Sequence, residues 1–292
     1  MSERFCFLNG RIMPAQEIGI PVLDRGFLYG DGLFETLKGE HGRVHLLNRH
    51  LARLRKSCTD LNLPFPDDVD WERVLSALFE ANGLTENPCT VKIILTRGIA
   101  QGRGLPKAQT PTLLIIIQPH PESPPEAYVK GMAVTVFPLP WENPLAEHKT
   151  LAYLNSLVAR EYAYSRGLDE ILLVNSRGFV TEASGSSLVW VEGETVFGTP
   201  GPGRLPGVTE AALRDALVQC GVQVGQREIR ADELPAADAV FLTNSLMGVM
   251  PVTRLDTTDL RKPGYAEKAA EFNALLAGQS APAYIAGQRV YA

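Results

Sequence analysis

Lys149 lies in AEHKTLAYLNS, residues 146–156, with Leu151, Leu154, Leu157 and Val158 close behind it. The chain has eight lysines, and Lys56, Lys107, Lys262 and Lys268 stand in polar surroundings. A lysine pressed against apolar neighbours loses hydration, which lowers its pKa. The neutral amine is a nucleophile that condenses with an aldehyde to a Schiff base. The competing reading is a lysine at a helix start whose ammonium snorkels to water.

Three further stretches carry groups that could do chemistry. Glu182, in NSRGFVTEASGSS, follows a strand-like run and sits among Thr181, Ser184, Ser186 and Ser187. A carboxylate there can hold a protonated ring nitrogen, or be an exposed acid in a turn. In GTPGPGRLPGVTEAALRDAL, glycines and prolines lead into a helix starting at Val208 or Thr209. The free N–H groups and positive end of such a helix suit a phosphate. Gly201, Gly203 and Gly207 lack the spacing of a dinucleotide fingerprint, and no Lys-Ser/Thr pair makes a P-loop. The plain alternative is a loop capped by Thr209. Arg49 and Arg53 lie one turn apart with Lys56 three residues on, ordinarily a solvated basic face. TRGIAQGRG places Arg97 and Arg103 in a glycine-rich loop, where two guanidinium groups could clamp carboxylates.

Several chemistries have no residues to carry them. HExxH and GxSxG are absent, and the five histidines, His41, His45, His50, His120 and His148, form no compact cluster. No metal site is expected. His148 adjoins Lys149, but neighbours on a strand face opposite sides.

The elements that must position these groups follow from periodicity and turn residues. FCFLNGRIMP is a hairpin with an Asn-Gly turn, and GLFETLKGEHGRVHLL is a strand pair turning at Gly39 to Gly42. In NRHLARLRKSCTDLNL, Leu47, Leu51, Leu54, Cys58 and Leu61 recur at helical spacing, with Asn48 as cap. A second amphipathic helix covers Trp71 to Ala81, and CTVKIILTRG and PTLLIIIQP read as strands. Four prolines between Pro119 and Pro125 mark a linker. Beyond it come a strand in MAVTVFPL, a helix from Leu151 to Arg166 ended by Gly167, and strands turning at Gly178 and Gly193. A helix from Thr209 to Cys220, a strand at Ala239 to Thr243 and a helix from Tyr265 to Ala277 complete the order. Strands with helices, a linker, then strands with helices again predict an α+β chain of two domains. Residues 1–118 form the first, 119–126 the linker and 127–292 the second, which carries Lys149.

A chain of 292 residues supports two modest cores. No apolar run is long enough to cross a bilayer, and MSERFCFLNG has no signal-peptide pattern. The net charge of −5 argues against nucleic acid as partner. Cys6, Cys58, Cys89 and Cys220 are scattered without a CxxC pair, as expected for reduced, mostly buried thiols in the cytoplasm.

Taken in order, LDRGFLYGDGLFET, NRHLARL, HKTLAYLNSLVARE, VTEASGSSLVW, LPGVTEAAL and FLTNSLMGVMPV resemble the landmarks of the fold-type IV pyridoxal-phosphate enzymes, the class IV aminotransferases. The resemblance runs from Phe7 to Val252. It implies a smaller N-terminal domain, a larger C-terminal domain and pyridoxal 5′-phosphate at their interface. Lys149 would form the Schiff base, and Glu182 would pair with the pyridine nitrogen. Arg53, matching the arginine of HLARL, would bind the phosphate with Val208, Thr209 and Ser245. Tyr153 would lie near the phenolic oxygen. Tyr29, Phe34, Arg97 and Arg103 are implied substrate contacts, Tyr29 on a loop lent by the partner of a homodimer. The substrate would be a small amine bearing a carboxylate.

Within the family, FLTNSLMGVMPV and LTRGIAQGRG resemble 4-amino-4-deoxychorismate lyase, as do Phe34, Thr36 and Lys38. That enzyme releases pyruvate and forms 4-aminobenzoate for folate synthesis. SLMG departs from the lyase's ALMP, and Glu35 stands where it often has threonine. The alternatives are an aminotransferase acting on D-amino acids, branched-chain amino acids or another primary amine, and a non-catalytic cofactor-binding protein.

Overall fold

A computed structural model describes residues 4–108 and 110–279. The described chain divides into two compact units, residues 4–122 with 148–152, and residues 123–147 with 153–279.

The first unit is built on a hairpin of β1 (Phe5–Leu8) and β2 (Arg11–Pro14). Asn9 and Gly10 turn it with φ of 43° and 91°, the left-handed pair that an Asn-Gly loop adopts at least cost. His41 and Gly42 do the same between β3 (Gly32–Glu40) and β4 (Arg43–Val44). With β5 (Cys89–Thr96) and β6 (Thr112–Pro119) these strands form an antiparallel sheet in the order β2-β1-β6-β5-β3-β4.

Alternation along the strands gives this sheet two unlike faces. Leu33, Leu37, Val91, Ile93, Leu95, Ile115 and Ile117 are buried in one core with Leu54, Cys58, Leu75, Leu78 and Phe79. The latter come from α1 (Leu47–Asp60) and α2 (Trp71–Ala81). Each fully buried side chain of this size contributes about 1.5–3 kcal/mol. The other face carries Phe34, Thr36, Lys92 and Ile94, with Phe34 opposite Ile94 and Thr36 opposite Lys92. Asp70 caps α2 by accepting from Arg73 N at 3.0 Å. Among the described residues no side chain caps helix α1. It starts from Leu46 at φ 54°, so Asn48, expected as the cap, lies within the helix.

Residues 148–152 join this unit by backbone pairing. Phe34 N donates to Lys149 O at 2.8 Å, Leu33 bridges Thr150, and Leu151 N donates to Gly32 O at 2.9 Å. This differs from an unbroken second domain running from residue 127. The helix expected from Leu151 starts later, α3 spanning Leu154–Tyr164, and Lys149 lies ahead of it on an extended segment.

The second unit has a nine-stranded mixed sheet. Its strands are β7 (Met132–Val136), β8 (Glu170–Val174), β9 (Val180–Ala183), β10 (Ser187–Glu192), β11 (Thr195–Gly198), β12 (Gln223–Gln226), β13 (Ala239–Asn244) and β14 (Gly248–Leu255). The order is β12-β11-β10-β13-β14-β7-β8-β9, with β15 (Thr258–Asp259) beside β14. Strand β14 contains Pro251 and was not expected from the sequence. Trp190, fully buried on β10, stacks on Phe197 of β11 with centroids 5.6 Å apart. Helix α4 (Val208–Gln219) packs on β13 and on α5 (Tyr265–Gln279). A short helix, Pro125–Lys130, opens the unit. The prolines expected to bar a helix allow one here, because proline at the first helical position loses no hydrogen bond.

Candidate functional site

In the first unit, the backbone pairing of Lys149 to β3 brings its Nζ over the Phe34 ring, 4.5 Å from the centroid. The ring is nearly buried. His148, on the other side of the segment, places Nδ1 3.0 Å from Ser57 Oγ on α1. The alternation expected of an extended segment therefore separates the two side chains.

Arg53 projects from α1 toward β3. Its Nε donates to Glu35 Oε1 at 2.8 Å and its Nη2 to Glu35 Oε2 at 2.6 Å. His50, one turn earlier, sits 2.7 Å from Glu35 Oε2 through Nδ1. Arg49, Arg53 and Lys56 are thus not one solvated face: Arg53 turns inward while Lys56 pairs with Asp60. Burial pushes the Glu35 carboxyl up, but the charge and hydrogen bonds of Arg53, with those of His50, outweigh it and hold the pKa at about 2. Burial lowers the His50 pKa, and the charges of Arg53 and Lys149 reinforce it against the pull of Glu35. Glu35 was noted in the sequence only as a departure from threonine. The Leu33-x-Glu35-x-Leu37 alternation was the signal that it enters the core.

In the second unit, Glu182 lies within β9, and its Oε2 accepts from Leu205 N at 3.0 Å. That bond ties the acid to the loop that leads into α4. Thr199 Oγ1 donates to Thr181 O at 2.6 Å, and buried Arg204 forks onto Glu210 at 2.5 and 3.0 Å. These bonds fix the path of the loop. Tyr153 donates to Ser184 O at 2.7 Å, and burial raises its phenol pKa. Arg160 Nε donates to Ser184 Oγ at 2.9 Å and so braces the same turn. Ser245 stands half-buried in the turn between β13 and β14. Asn244 builds this turn, its Oδ1 accepting from Leu246 N and Met247 N at 3.0 Å each. Gly248 follows at φ 66°, which proline's fixed φ excludes. The turn as it stands here therefore has no place for the proline of ALMP.

Whether the residues fit pyridoxal phosphate is tested at the start of α4. Val208 and Thr209 open the helix, and no side chain caps it among the described residues. Its first N–H groups and positive end are the chemistry a phosphate needs. Gly207 has an ordinary φ of −67°, yet a Cβ there would collide with Ser187 Oγ. Thr243, directly opposite Ser187 on the paired strand, has its Oγ1 buried with no partner among the described residues. An uncapped helix start, a glycine with no room for a methyl and an orphaned hydroxyl fit an anion. Glu182, on the same loop framework, fits a ring N–H. Gly207 and Ser187 were noted in the sequence without this role, and Thr243 was missed because hydroxyls are common in strands.

One expected substrate contact is placed differently. Arg97 is only 1% exposed, and its guanidinium binds Asp31, Leu61 O, Asn62 O and Pro106 O. It ties three chain segments together and has no reach left for a substrate carboxylate, which corrects that expectation. Arg103 is exposed in the loop after β5. Tyr29 ends a short helix, Arg25–Tyr29, and is exposed, with Arg25 stacked 5.0 Å from its ring. No metal-binding cluster occurs among the described residues. No helix there is long and apolar enough to cross a membrane.

The sequence model of the amino-transferase class IV family matches residues 32–255. An aminodeoxychorismate lyase of Vibrio harveyi is 29% identical over 248 residues, 82% of this chain and 89% of that one. A D-alanine aminotransferase of Bacillus licheniformis is 26% identical over 255 residues, 85% and 87% of the two chains. The crystal structure of 4-amino-4-deoxychorismate lyase from Pseudomonas aeruginosa superposes with a TM-score of 0.79 at 31% identity, covering 91% of this chain and 97% of that one. The chain belongs to the class IV aminotransferase family and is a fold-type IV, pyridoxal-phosphate-dependent enzyme.

Proposed function

We infer that this enzyme is a 4-amino-4-deoxychorismate lyase that releases pyruvate and forms 4-aminobenzoate. The observation that carries the reading is the sequence Asn244-Ser245-Leu246-Met247, which resembles the lyase's Asn-Ala-Leu-Met, in a turn closed by the Asn244 side chain. It supports the lyase version of this loop, and relatives named as lyases match over most of the chain. The second reading is an aminotransferase, supported by relatives bearing that name.

Residue roles follow from the chemistry of each group. When bound, pyridoxal phosphate supplies an aldehyde carbon and a protonated ring that draws electrons from the bond to be broken. Lys149 Nζ is the amine that anchors the aldehyde and then carries a proton. Glu182 holds the proton on the ring nitrogen, its own position fixed by Leu205 N–H. Val208, Thr209, Ser245 and Arg53 bind the phosphate, and Glu35 keeps the Arg53 fork oriented. Tyr153, its hydroxyl held by Ser184 O, stands near the phenolic oxygen and tunes the proton balance there. Phe34 walls the reacting amine and excludes water from it. Val22, Leu23, Phe27 and Tyr29 form an apolar, exposed stretch that a second copy would cover, which supports a homodimer.

One parallel assay tests the reading. The holoenzyme is given 4-amino-4-deoxychorismate, and then D- and L-amino acids with 2-oxoglutarate or pyruvate. Formation of 4-aminobenzoate is expected. Amino transfer without it assigns the aminotransferase, and no turnover in either arm leaves a cofactor-binding protein.

A further inference from the structure

Glu210 stands in the first turn of α4, two residues after Val208, and its side chain is buried. A glutamate at this position ordinarily folds back and accepts from the backbone N–H of the residue before the helix, as half of a capping box. Here one arginine takes both of its oxygens. Arg204 Nη1 donates to Oε2 at 2.5 Å and Nη2 to Oε1 at 3.0 Å. The carboxyl nevertheless lies beside the helix mouth. A Cβ on Gly207, the residue before the helix, would stand 3.4 Å from Oε2, and one on Gly198 of β11 would stand 2.6 Å from Oε1.

Stability alone is a weak reason for Arg204. It is only 7% exposed, and its Nε is buried without a partner among the described residues. An unsatisfied buried donor is destabilising, and a packed apolar pair is often as stable as a buried ion pair. The effect of the pair on the helix is electrostatic. An unpaired carboxylate in the first turn would offset the positive end of α4 and compete for its N–H groups, the two features that suit a phosphate. The guanidinium neutralises the carboxylate and occupies its lone pairs. Arg204 also precedes Leu205, whose N–H binds Glu182, so one short loop carries the contact to that acid and the contact to the helix.

We propose that Arg204 is a positioning residue for the cofactor: by holding both oxygens of Glu210 it keeps the start of α4 uncapped and positive for the phosphate. Glu210, released from Arg204, is the competitor of that phosphate. The proposal rests on the phosphate lying at this helix start, as assigned in the preceding section, and it holds for either activity. Because the effect is one of charge, it separates ligands that carry a phosphate from ligands that do not.

The test uses the full chain freed of cofactor, as wild type, Arg204→Met, Glu210→Gln and the double variant Arg204→Met, Glu210→Gln, with thermal midpoints confirming that each is folded. Inorganic phosphate, pyridoxal phosphate and pyridoxal are titrated calorimetrically. Arg204→Met should weaken both phosphate ligands about tenfold, because it strands a carboxylate in the turn that receives them, and should change pyridoxal by less than about twofold. Glu210→Gln should bind both phosphate ligands at least as well as wild type, and the double variant should restore most of the loss. Equal loss for pyridoxal and pyridoxal phosphate, a double variant as weak as Arg204→Met, or an unchanged Arg204→Met overturns the proposal. If Arg204→Met does not fold, the other two variants decide: phosphate binding kept in both upholds it, and loss in either overturns it. Gly207→Ala, titrated alongside, separates the two assignments. If it binds phosphate as wild type does, the helix start is not the phosphate site and both fall. If it loses affinity while Arg204→Met does not, only the role of Arg204 falls.

Discussion

Glu35 grips Arg53 at two points, Oε1 on Nε at 2.8 Å and Oε2 on Nη2 at 2.6 Å, from the buried face of the sheet whose other face bears Phe34. Adjacent residues on β3 thereby serve opposite sides: Phe34 meets the Lys149 amine, and Glu35 holds Arg53 in place.

Breaking that pair leaves a charge stranded in a nearly dry place. Glu35→Ala should cost about 3–5 kcal/mol in urea unfolding, and the double variant Glu35→Ala, Arg53→Met should recover part of it. The pH dependence follows from a depressed carboxyl. Its stabilisation is fully present above the unfolded value near 4.5 and is lost as pH falls through about 2. The stability gap between wild type and Glu35→Gln should therefore shrink across that window. A gap constant with pH would show that the ion pair contributes nothing.

Gly207→Ala tests the helix mouth. The backbone tolerates alanine, so the cost is the collision with Ser187 Oγ. Affinity of the apoenzyme for pyridoxal phosphate should fall about tenfold, equivalent to 1.4 kcal/mol. Adding Ser187→Ala should restore it. Unchanged affinity would remove this helix start as the phosphate site.

Thr243→Val replaces an orphaned hydroxyl by a methyl of similar shape. Without cofactor the variant should match or exceed wild type, because an unsatisfied buried hydroxyl costs about 1–3 kcal/mol. The thermal shift on adding pyridoxal phosphate should be smaller than in wild type. Equal shifts in both proteins would make the hydroxyl irrelevant to the cofactor.

Arg97→Met separates architecture from substrate binding. Loss of its contacts to Asp31, Leu61, Asn62 and Pro106 should lower the unfolding free energy by about 3 kcal/mol or more. KM for carboxylate substrates, measured on the folded fraction, should stay within twofold. A large KM rise without loss of stability would return Arg97 to the substrate.

Much of the first unit was legible in the chain. Asn9-Gly10 announced its hairpin, and alternation in β3, β5 and β6 announced a sheet with one apolar face. The spacing of Leu47, Leu51, Leu54 and Cys58 announced the helix that covers it. Lys149 and Glu182 were singled out because an amine and a carboxylate stood in sequence contexts that fit a cofactor's chemistry.

Local pattern by itself determined the residue types, the turns and the faces, since these depend on neighbours two to four positions away. Only the tertiary structure decided that residues 148–152 return to pair with β3, that Arg97 is consumed in the interior and that Lys149 stands over the ring of Phe34. Each of these joins segments tens of residues apart in the chain. The free energy of such pairing comes from burial and hydrogen bonds that exist only once the sheet is assembled, and no local spacing records it.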